Sequence, residues 1–340
     1  MNQQLAIVIL NYNGQALLAE FLPNVLATAN GAAVYLADNA STDGSVTFVR
    51  ASFPAVTVLE LPQNTGYAGG YNAALEQLRH GSSPPRYYCL LNSDVAVAPG
   101  WLEPVLALLE ANPRAAACQP KILAHRQPGY FEYAGGAGGY LDWLGYAFCR
   151  GRLFDTLEKD TGQYDDDRRV FWASGACLFV RAAVFHESGG FEAAFFAHME
   201  EIDWCWRVQR QGHEIWTCGG AQVAHVGAGT LAKTNPRKTY LNYRNSLWML
   251  YRNLPPGSLW PLLLWRLVLD GLSAGPLLLR GNWAAIGAVV RAHGAFWGRL
   301  GTLRRQRRAL AQTATHPVGL FPKSIVWQYF VRGVRQFSNL

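Results

Sequence analysis

The amino-acid sequence predicts an α/β protein built on a mixed, mainly parallel sheet, and two observations support this fold class. Over the first hundred residues, short aliphatic runs alternate with segments of helical spacing, as in βαβ units. Each run is apolar throughout rather than alternating, as in strands covered on both faces. Sheets of this kind bind ligands at the carboxyl ends of their strands, so the residues that follow each run are the first site candidates.

The first four predicted strands all end at polar residues or turns. The strands are Leu5–Leu10, Ala33–Ala37, Val56–Leu61 and Tyr87–Leu91, and helical spacing covers Gly14–Ala29 and Gly66–Arg79. Three of these strands lead directly into Asn11-Tyr12-Asn13, Asp38-Asn39 and Asn92-Ser93-Asp94. Parallel strands bring such ends to one edge of the sheet, and we expect a site there.

The second part of the chain is less regular. Segment 120–175 is rich in Gly and aromatic residues and predicts loops and hairpins. The pattern then predicts a strand over Phe171–Val180, a helix over Glu200–Gln211, strands over Glu214–Cys218 and Ala221–Val226, and a helix over Pro236–Asn253.

The composition changes after Pro255. Residues 258–272 and 282–308 predict two amphipathic helices with Trp and Leu on one face and Arg on the other, a pattern typical of membrane-surface helices. The alternative is an ordinary helical subdomain that packs on the rest of the protein. We therefore predict one domain over 1–254 and a basic, helical C-terminal extension over 255–340.

Composition excludes several protein classes. Half of the 340 residues are hydrophobic and 16% are charged, which excludes a mainly disordered, collagen-like or coiled-coil chain. The net charge of +7 is uneven, because residues 255–340 carry 11 Lys and Arg against the single acid Asp270. An excess of this kind favours an anionic partner, either a membrane surface or a nucleic acid.

The cysteines and the N-terminus indicate a cytoplasmic protein. The six cysteines include no CxxC pair and lie mostly in apolar runs, as buried thiols do. No basic segment precedes the first apolar run, so we expect no signal peptide. We also expect no membrane-spanning segment, because no stretch of about 18 residues is sufficiently apolar and free of charge.

Three side chains at predicted strand ends are candidates for nucleotide or metal binding. Asp38 could contact a nucleotide base or ribose, although an Asp in a Ser-rich turn often only caps that turn. Asp94 could hold Mg²⁺ or Mn²⁺ against phosphate oxygens. His225 could be a second metal ligand if it lies near Asp94, although a lone His is more often structural.

A dense acidic cluster provides the candidate base. Glu200, Glu201 and Asp203 lie together in FFAHMEEIDWCWR. Adjacent acids cannot share one helix face, so one can point into a site while its neighbour is structural. Asp203 and Arg207 are spaced i, i+4 and could pair with each other.

Seven segments of the sequence, taken in chain order, resemble the family 2 glycosyltransferases with the GT-A (nucleotide-diphospho-sugar transferase) fold. The resemblance is strongest to the bacterial rhamnosyltransferase-like branch. The matching segments, within residues 5–250, are IVILNYNG, LADNASTDGS, NTGYAGGYNAAL, LLNSDV, ASGACLFVRAAVFHESGGF, FFAHMEEIDWCWRVQRQG and VAHVGAGT.

For the donor, the resemblance implies binding near the strand ends and at a glycine-rich helix start. It places Asn11, Tyr12 and Asp38 at the nucleotide, Gly66, Gly70 and Asn72 near the diphosphate, and Trp172, Ser174 and Gly175 beside a sugar. Asn92 and Ser93 belong to the same donor-binding set.

For catalysis, the resemblance implies a metal ion and a separate base. Asp94 matches the last Asp of the DxD metal motif, and Asn92 replaces the first. His225 matches a histidine near the metal, which would be Mg²⁺ or Mn²⁺. Glu201 matches the catalytic base, where Asp is usual, with Glu200 as the second choice.

The resulting expectation is inverting transfer of a sugar to a glycan or lipid-linked acceptor, in O-antigen or other envelope polysaccharide biosynthesis. Rhamnose from dTDP-rhamnose is the expected donor sugar. The protein would then be peripheral at the inner face of the plasma membrane, bound through 255–340, with no nucleic-acid partner despite RRQRR at 304–308.

Three other functions compete with this one. A dinucleotide dehydrogenase needs GxGxxG, which does not occur, and a sugar-nucleotidyltransferase needs a basic phosphate loop, whereas NYNGQALLAE contains no Lys or Arg. A catalytically decayed scaffold subunit of a polysaccharide assembly complex is the third alternative.

Overall fold

The protein was analysed as a computed structural model, which describes residues 4–227, 235–273, 275–279, 281–310 and 317–340. The elements up to residue 124 are β1 (Leu5–Asn11), α1 (Gln15–Thr28), β2 (Ala33–Asp38), α2 (Ser45–Ser52), β3 (Thr57–Glu60), α3 (Gly66–Arg79), β4 (Tyr87–Asn92), β5 (Val95–Val97), α4 (Glu103–Ala111) and β6 (Ala115–Ala124). The six predicted elements of this part are confirmed, with ends shifted by at most one residue.

The middle of the chain consists of short strands followed by two longer elements. They are β7 (Gly139–Asp142), β8 (Ala147–Cys149), β9 (Arg152–Leu153), β10 (Thr156–Leu157), β11 (Arg168–Arg169), β12 (Cys177–Arg181), α5 (Ala182–Glu187), α6 (Glu200–Arg210) and β13 (Glu214–His225). The prediction of hairpins and loops over 120–175 is confirmed.

The last part is mainly helical. It contains α7 (Pro236–Asn253), α8 (Pro256–Ser273), α9 (Gly275–Leu279), α10 (Trp283–Gly298), α11 (Leu300–Ala309), β14 (Leu320–Phe321) and α12 (Ile325–Phe330). The prediction of two helices after residue 255 is therefore too simple. Gly281 has a positive φ of 64° before α10, a conformation that glycine adopts without strain.

A mixed sheet forms the centre of the molecule, and its strand order among the described residues is β11-β13-β6-β12-β4-β1-β2-β3, with β5 beside β13. The longer registers, β1 with β2, β1 with β4 and β13 with β6, are parallel. β1 is almost wholly buried because helices cover both faces of this sheet, which explains its unbroken apolar sequence.

The register brings three polar strand ends together. Asn11 of β1 lies opposite Asp38 of β2, and Leu10 lies opposite Asn92 of β4. The prediction that these ends meet at one edge of the sheet is thus confirmed.

Two strand predictions were wrong in their extent. β12 begins at Cys177 rather than at Phe171, because Trp172 and its neighbours turn back toward β7. The two strands predicted over 214–226 form the single strand β13, since a register shift between Cys218 and Gln222 absorbs the Gly219-Gly220 pair.

A smaller sheet, with the order β10-β9-β8-β7-β14, joins the middle of the chain to its end. β14 pairs with β7 in parallel, and the amide of Ile325 donates to Asp142 at 2.9 Å. In its described part, the C-terminal extension is therefore mainly helical up to residue 309, and after that it contains β14, which pairs with this sheet, and the short helix α12. The domain boundary at 254/255 stays a prediction.

The C-terminal helices share the main core. Leu259, Leu263, Phe296 and Leu303 are buried in one cluster with Leu250 of α7. Among the described residues, no helix is both long and apolar enough to cross a membrane. All six cysteines are buried free thiols, as predicted.

The polarity of α8 is the reverse of the prediction. Its two charged residues, Arg266 and Asp270, are 6% and 1% exposed. Its outer side carries apolar residues instead, Leu264, Trp265, Val268 and Leu272. The expected division into an apolar face and an arginine face is therefore wrong for α8.

Candidate active site

The ends of β1 and β2 form a buried polar corner. Asn11 donates through Nδ2 to Asp38 Oδ1 at 2.9 Å and to Ser41 Oγ at 3.0 Å. Asp38 also accepts from the amide of Ser41 at 2.9 Å. Asn11 Oδ1 is buried and accepts no hydrogen bond within the described protein. A buried acceptor without a partner is costly, so this oxygen is ready to accept from a ligand N–H or O–H.

Gly14 leaves room next to that oxygen, because it has no side chain. A Cβ on Gly14 would lie 2.6 Å from Asn11 Oδ1, which is closer than any real contact. Tyr12, between the two, is 44% exposed and leaves its ring free to stack on a ligand. The sequence predicted Asn11, Tyr12 and Asp38 as nucleotide-binding residues, and the structure places them around one corner.

The start of α3 is held against the same edge. Asn39 donates to Asn64 Oδ1 at 3.1 Å and to the Gly66 carbonyl at 3.0 Å. Gly66 has a φ of +73°, and a Cβ there would collide with the carbonyl oxygen of Phe196. Position 66 therefore requires glycine, and the contact ties α3 to the segment that leads into α6.

The other two predicted residues of α3 have packing roles here. Gly70 lies against Leu10, and a Cβ there would come within 2.7 Å of that side chain. Asn72 bonds the backbone of Phe191 through both ends of its amide, at 2.8 and 3.0 Å. Contact of either residue with a diphosphate stays a prediction.

Asp94 and His225 form the candidate metal pair. His225 Nε2 lies 3.1 Å from Asp94 Oδ1 and 3.3 Å from Asn92 Nδ2. The pairing of β5 with β13 sets this distance, and the amide of Val226 donates to the Asp94 carbonyl at 3.0 Å. Two residues 131 positions apart are thus neighbours, and Ser93 lies half-buried beside them.

A third acidic residue, which the sequence analysis missed, lies behind the imidazole. Glu132 Oε2 is 3.5 Å from His225 Nδ1, and both side chains are buried. Burial alone lowers the pKa of His225, but bonding to Asp94 and Glu132 outweighs it and raises this pKa to about 10. No local motif marks Glu132, since it lies in a Gly-rich and aromatic loop.

The pair fits a small divalent cation. Mg²⁺ and similar ions bind oxygen ligands at about 2.1 Å, so two adjacent octahedral ligands lie about 3 Å apart. Asp94 Oδ1 and His225 Nε2 lie 3.1 Å apart as an ion pair, so both would reach one ion when the ion replaces the imidazole proton. Within the described ranges, no group of three or more His, Cys, Asp or Glu is arranged to hold a metal. The other ligands would have to come from water and substrate phosphates, as is usual for Mg²⁺.

The candidate base lies on a different element, at the start of α6. Glu200 is 3% exposed and Glu201 is half-buried, and the Oε2 atom of each is buried without a hydrogen-bond partner among the described residues. Burial raises the pKa of Glu201 to about 7. Burial and the charge of Glu201 raise the pKa of Glu200 well above its usual value. Near neutral pH, Glu201 is therefore the better candidate to accept a proton.

Tyr67 of α3 is a second residue that the sequence did not reveal. Burial raises its pKa well above the ordinary value, and the charges of Tyr71, Glu200 and Glu201 add to this rise. Its hydroxyl donates to the Gly175 carbonyl at 2.7 Å. Tyr67 therefore links Gly175 to the surroundings of the acidic pair, and contact of Gly175 with a sugar stays a prediction.

Trp172 and Ser174 are placed differently. Trp172 is 4% exposed and donates through Nε1 to the Tyr140 carbonyl at 3.0 Å. Ser174 is 2% exposed, and its hydroxyl bonds the Ala134 carbonyl. Both are packing residues in this structure, and direct contact with a sugar stays a prediction.

The polar interior of the protein anchors α6. Arg207 donates to Asp203 at 2.9 Å, which confirms the predicted pair. Asn253 of α7 donates to the other carboxylate oxygen of Asp203 at 2.8 Å, and Arg252 lies 3.3 Å away. These bonds hold the helix that carries Glu201.

α7 also fixes the loop that precedes α6. Asn245 Nδ2 lies 2.7 to 2.9 Å from the carbonyls of Phe195, Ala197 and His198. Arg244 bonds the carbonyls of Ala194 and Phe195 at 3.0 and 2.9 Å. In this loop His198 and Met199 have positive φ values of 71° and 72°, a strained conformation that these contacts maintain.

Comparison with known proteins gives the site its context. Residues 6–162 match the model of the family "Glycosyl transferase family 2". The N-acetylglucosaminyl-diphospho-decaprenol L-rhamnosyltransferase of Mycobacterium tuberculosis is 28% identical over 296 residues, which are 83% of this chain and 93% of that protein.

Two solved structures share the fold. GalNAc-T7 with UDP, GalNAc and Mn²⁺ aligns with a TM-score of 0.57 at 13% identity, over 73% of this chain and about half, 48%, of that one. The mannosyltransferase PcManGT from Pyrobaculum calidifontis, in complex with GDP-Man and Mn²⁺, aligns with a TM-score of 0.52 at 16% identity, over 91% of this chain and 80% of that one. At these identities the likeness concerns the fold alone.

Proposed function

Because this chain is a family 2 glycosyltransferase with the GT-A fold, we propose that it transfers a sugar from a nucleoside-diphosphate donor to a lipid-linked glycan acceptor, with inversion at the anomeric carbon. One observation carries the proposal. Asp94 and His225, the candidate metal pair, are brought together by the pairing of β5 with β13, whereas the buried, unpartnered Oε2 of Glu201 lies on a separate element, α6. The metal pair can then act on the leaving group, while Glu201 acts on the attacking hydroxyl.

In the proposed reaction the acceptor hydroxyl attacks the anomeric carbon. Glu201 takes the hydroxyl proton, the new C–O bond forms, and the bond from the anomeric carbon to the diphosphate oxygen breaks, so that a nucleoside diphosphate leaves. A divalent cation, when bound by Asp94 and His225, would neutralise charge on that leaving group. A single in-line displacement inverts the configuration.

The nucleotide corner supports a base that carries an N–H donor. Asn11 Oδ1 can accept such a donor, and Asp38 can accept from a ribose or base group. Thymine, uracil and guanine each present an N–H on the edge where cytosine presents an acceptor. We propose dTDP-rhamnose as the donor, on the strength of the mycobacterial relative, whose name describes an L-rhamnosyltransferase.

The outer face of the C-terminal helices supports a lipid-linked acceptor. It consists of exposed apolar residues, which are Trp260, Leu264, Trp265, Val268 and Leu272 on α8, Leu278 and Leu279 on α9, and Trp283, Val290 and Trp297 on α10. Trp260 stacks on Trp297 with ring centroids 6.4 Å apart, which makes the face continuous between α8 and α10. An exposed apolar surface of this extent is typical of an interaction site.

We propose that this outer apolar face lies on the cytosolic surface of the plasma membrane, where the protein acts in envelope polysaccharide assembly, such as that of an O-antigen. The name of the mycobacterial relative describes a diphospho-decaprenol acceptor, which supports a lipid-linked substrate. The basic residues of the C-terminal part, with one acid against 11 Lys and Arg over 255–340, suit an anionic bilayer.

The test is thermal unfolding with UDP, dTDP, GDP or CMP, each with and without Mn²⁺. A nucleotide at about 100 times its Kd stabilises the folded state by roughly 2.7 kcal/mol, which is a shift of several degrees at most. We expect a Mn²⁺-dependent shift with dTDP, followed by release of dTDP rather than pyrophosphate on turnover. No shift with any nucleotide would refute the transferase and favour the scaffold alternative.

A further inference from the structure

A groove of about 740 Å³ lies between α7, α10 and the loop that leads into α6. Arg237, Tyr240 and Arg244 of α7 line one side, Arg291 of α10 lines another, and Phe196 belongs to the loop. None of the contacts described above assigns a ligand to this groove.

The groove is positively charged without compensation. Within the part of the chain that the structure describes, none of its three arginines has a carboxylate within ion-pair distance. The Arg237 guanidinium lies 4.6 Å from the centre of the Phe196 ring. Arg244 donates to the carbonyls of Ala194 and Phe195 and to the amide oxygen of Asn245. Arginine clusters of this kind bind phosphate groups through paired N–H donors.

One wall of the groove is the segment that carries the candidate base. Phe196 is five residues before Glu201, so their Cα atoms are at most about 18 Å apart even in a fully extended chain. The positive φ values of His198 and Met199 fold the segment back and shorten this distance. The arginines that face Phe196 therefore lie beside the same short segment that carries Glu201.

The other side of the groove leads toward the outer apolar face. Arg291 is preceded by Val290, which is 65% exposed. Trp283, Val290 and Trp297 are spaced seven residues apart, so they share one side of α10. A molecule with a phosphate in the groove can lay a hydrocarbon chain on these side chains.

We propose that this arginine groove binds the diphosphate of the lipid-linked acceptor, with the acceptor sugar toward Glu201 and the hydrocarbon on the outer apolar face. The inference rests on the proposed function, because it names the acceptor side of the same reaction. It assigns Arg237 and Arg291 as substrate-binding residues, whereas Arg244 also holds the loop before α6.

The test measures binding of farnesyl diphosphate to the full chain by isothermal titration calorimetry. EDTA is present, so that no metal ion can hold the diphosphate at Asp94. The test variant is the double substitution Arg237→Gln and Arg291→Gln, and the matched control is Arg304→Gln with Arg308→Gln, which removes the same charge from exposed positions of α11. We expect at least tenfold weaker binding in the test variant and less than a twofold change in the control.

Two further ligands distinguish the sources of phosphate. Farnesol, which has no phosphate, should bind weakly and equally to all forms. Dihexanoyl-phosphatidylglycerol is the second ligand. If it binds as tightly as farnesyl diphosphate and its affinity falls equally in the test variant, the groove is a site for phospholipid headgroups and the acceptor assignment is overturned. Absent or unchanged binding of farnesyl diphosphate would overturn the site itself.

A separate measurement keeps this inference distinct from the proposed function. Unfolding temperature and dTDP binding with Mn²⁺ are measured on every variant, and both should stay at the wild-type values. If the protein binds farnesyl diphosphate through these arginines but binds no nucleotide, the diphosphate groove is supported and the proposed sugar transfer is refuted.

Discussion

Arg266 and Asp270 form an ion pair inside the protein, with Arg266 Nε 2.9 Å from Asp270 Oδ1, on a helix whose outer side is apolar. Arg266 also donates to the Gly145 carbonyl at 3.1 Å, and its guanidinium lies 3.8 Å from the centre of the Tyr146 ring. Because both charges of α8 are used in docking the helix, its exposed surface carries none.

Loss of one partner of this pair should destabilise the protein strongly. Arg266→Ala leaves the buried Asp270 carboxylate without its main partner, a cost of about 3–5 kcal/mol. We expect the unfolding temperature to fall by several degrees. Arg304→Ala, at an exposed position of α11, should change the free energy of unfolding by less than about 0.5 kcal/mol. Equal stability of the two variants would show that the buried pair is dispensable.

A charge on the outer apolar face should weaken membrane binding. Leu264→Glu combined with Trp265→Glu removes apolar area and adds repulsion from anionic lipid, so less protein should float with phosphatidylglycerol liposomes. The control is the double substitution Ser82→Glu and Ser83→Glu, which adds the same charge in an exposed loop after α3. If both variants float like the wild type, α8 does not face the membrane.

Substitution of the candidate base should reduce turnover much more than substitution of its neighbour. We expect Glu201→Gln to lower kcat by about 10²–10⁴-fold, the range for general-base catalysis. Glu200→Gln should have a far smaller effect, because burial and the charge of Glu201 raise the pKa of Glu200 and disfavour its ionised form. The reverse order of effects would assign the base to Glu200.

The pH profile offers an independent check on Glu201. A base must be ionised to accept a proton, and burial raises the pKa of Glu201 to about 7. The rate should therefore rise with pH through about 7 and level off above it. The residual rate of Glu201→Gln should lack this rise, and a wild-type rate that is flat from pH 5 to 9 would contradict the assignment.

Glu132 should affect metal binding although it touches only the far nitrogen of His225. Carboxylates in this position orient a metal-bound imidazole, and their loss typically costs 10–100-fold in affinity. We expect this decrease in Mn²⁺ affinity for Glu132→Gln, measured by electron paramagnetic resonance with dTDP present, and a larger one for Asp94→Asn. Glu60→Gln, at an exposed position, is the control. Unchanged affinity in Glu132→Gln would make its contact with His225 purely structural.

Much of the fold could be predicted from the sequence because local patterns carry it. The strand β1 and the helices α3 and α7 were predicted to within one residue, since an unbroken apolar run or a helical spacing ends in each case at a clear boundary residue. β12 was predicted too long, because the apolar residues 171–176 belong to a buried turn rather than to a strand. Apolar runs of that length do not distinguish the two.

The sequence by itself determined the α/β class, the polar strand ends and the acidic cluster at Glu200 and Glu201, because these depend on side-chain type and short-range spacing. Only the tertiary structure decided that Asp94 meets His225, that Glu132 lies behind it and that three arginines share one groove. It also decided that α8 turns its charges inward. These contacts join residues far apart in the chain, and strand register and helix docking set them through packing that no local pattern records.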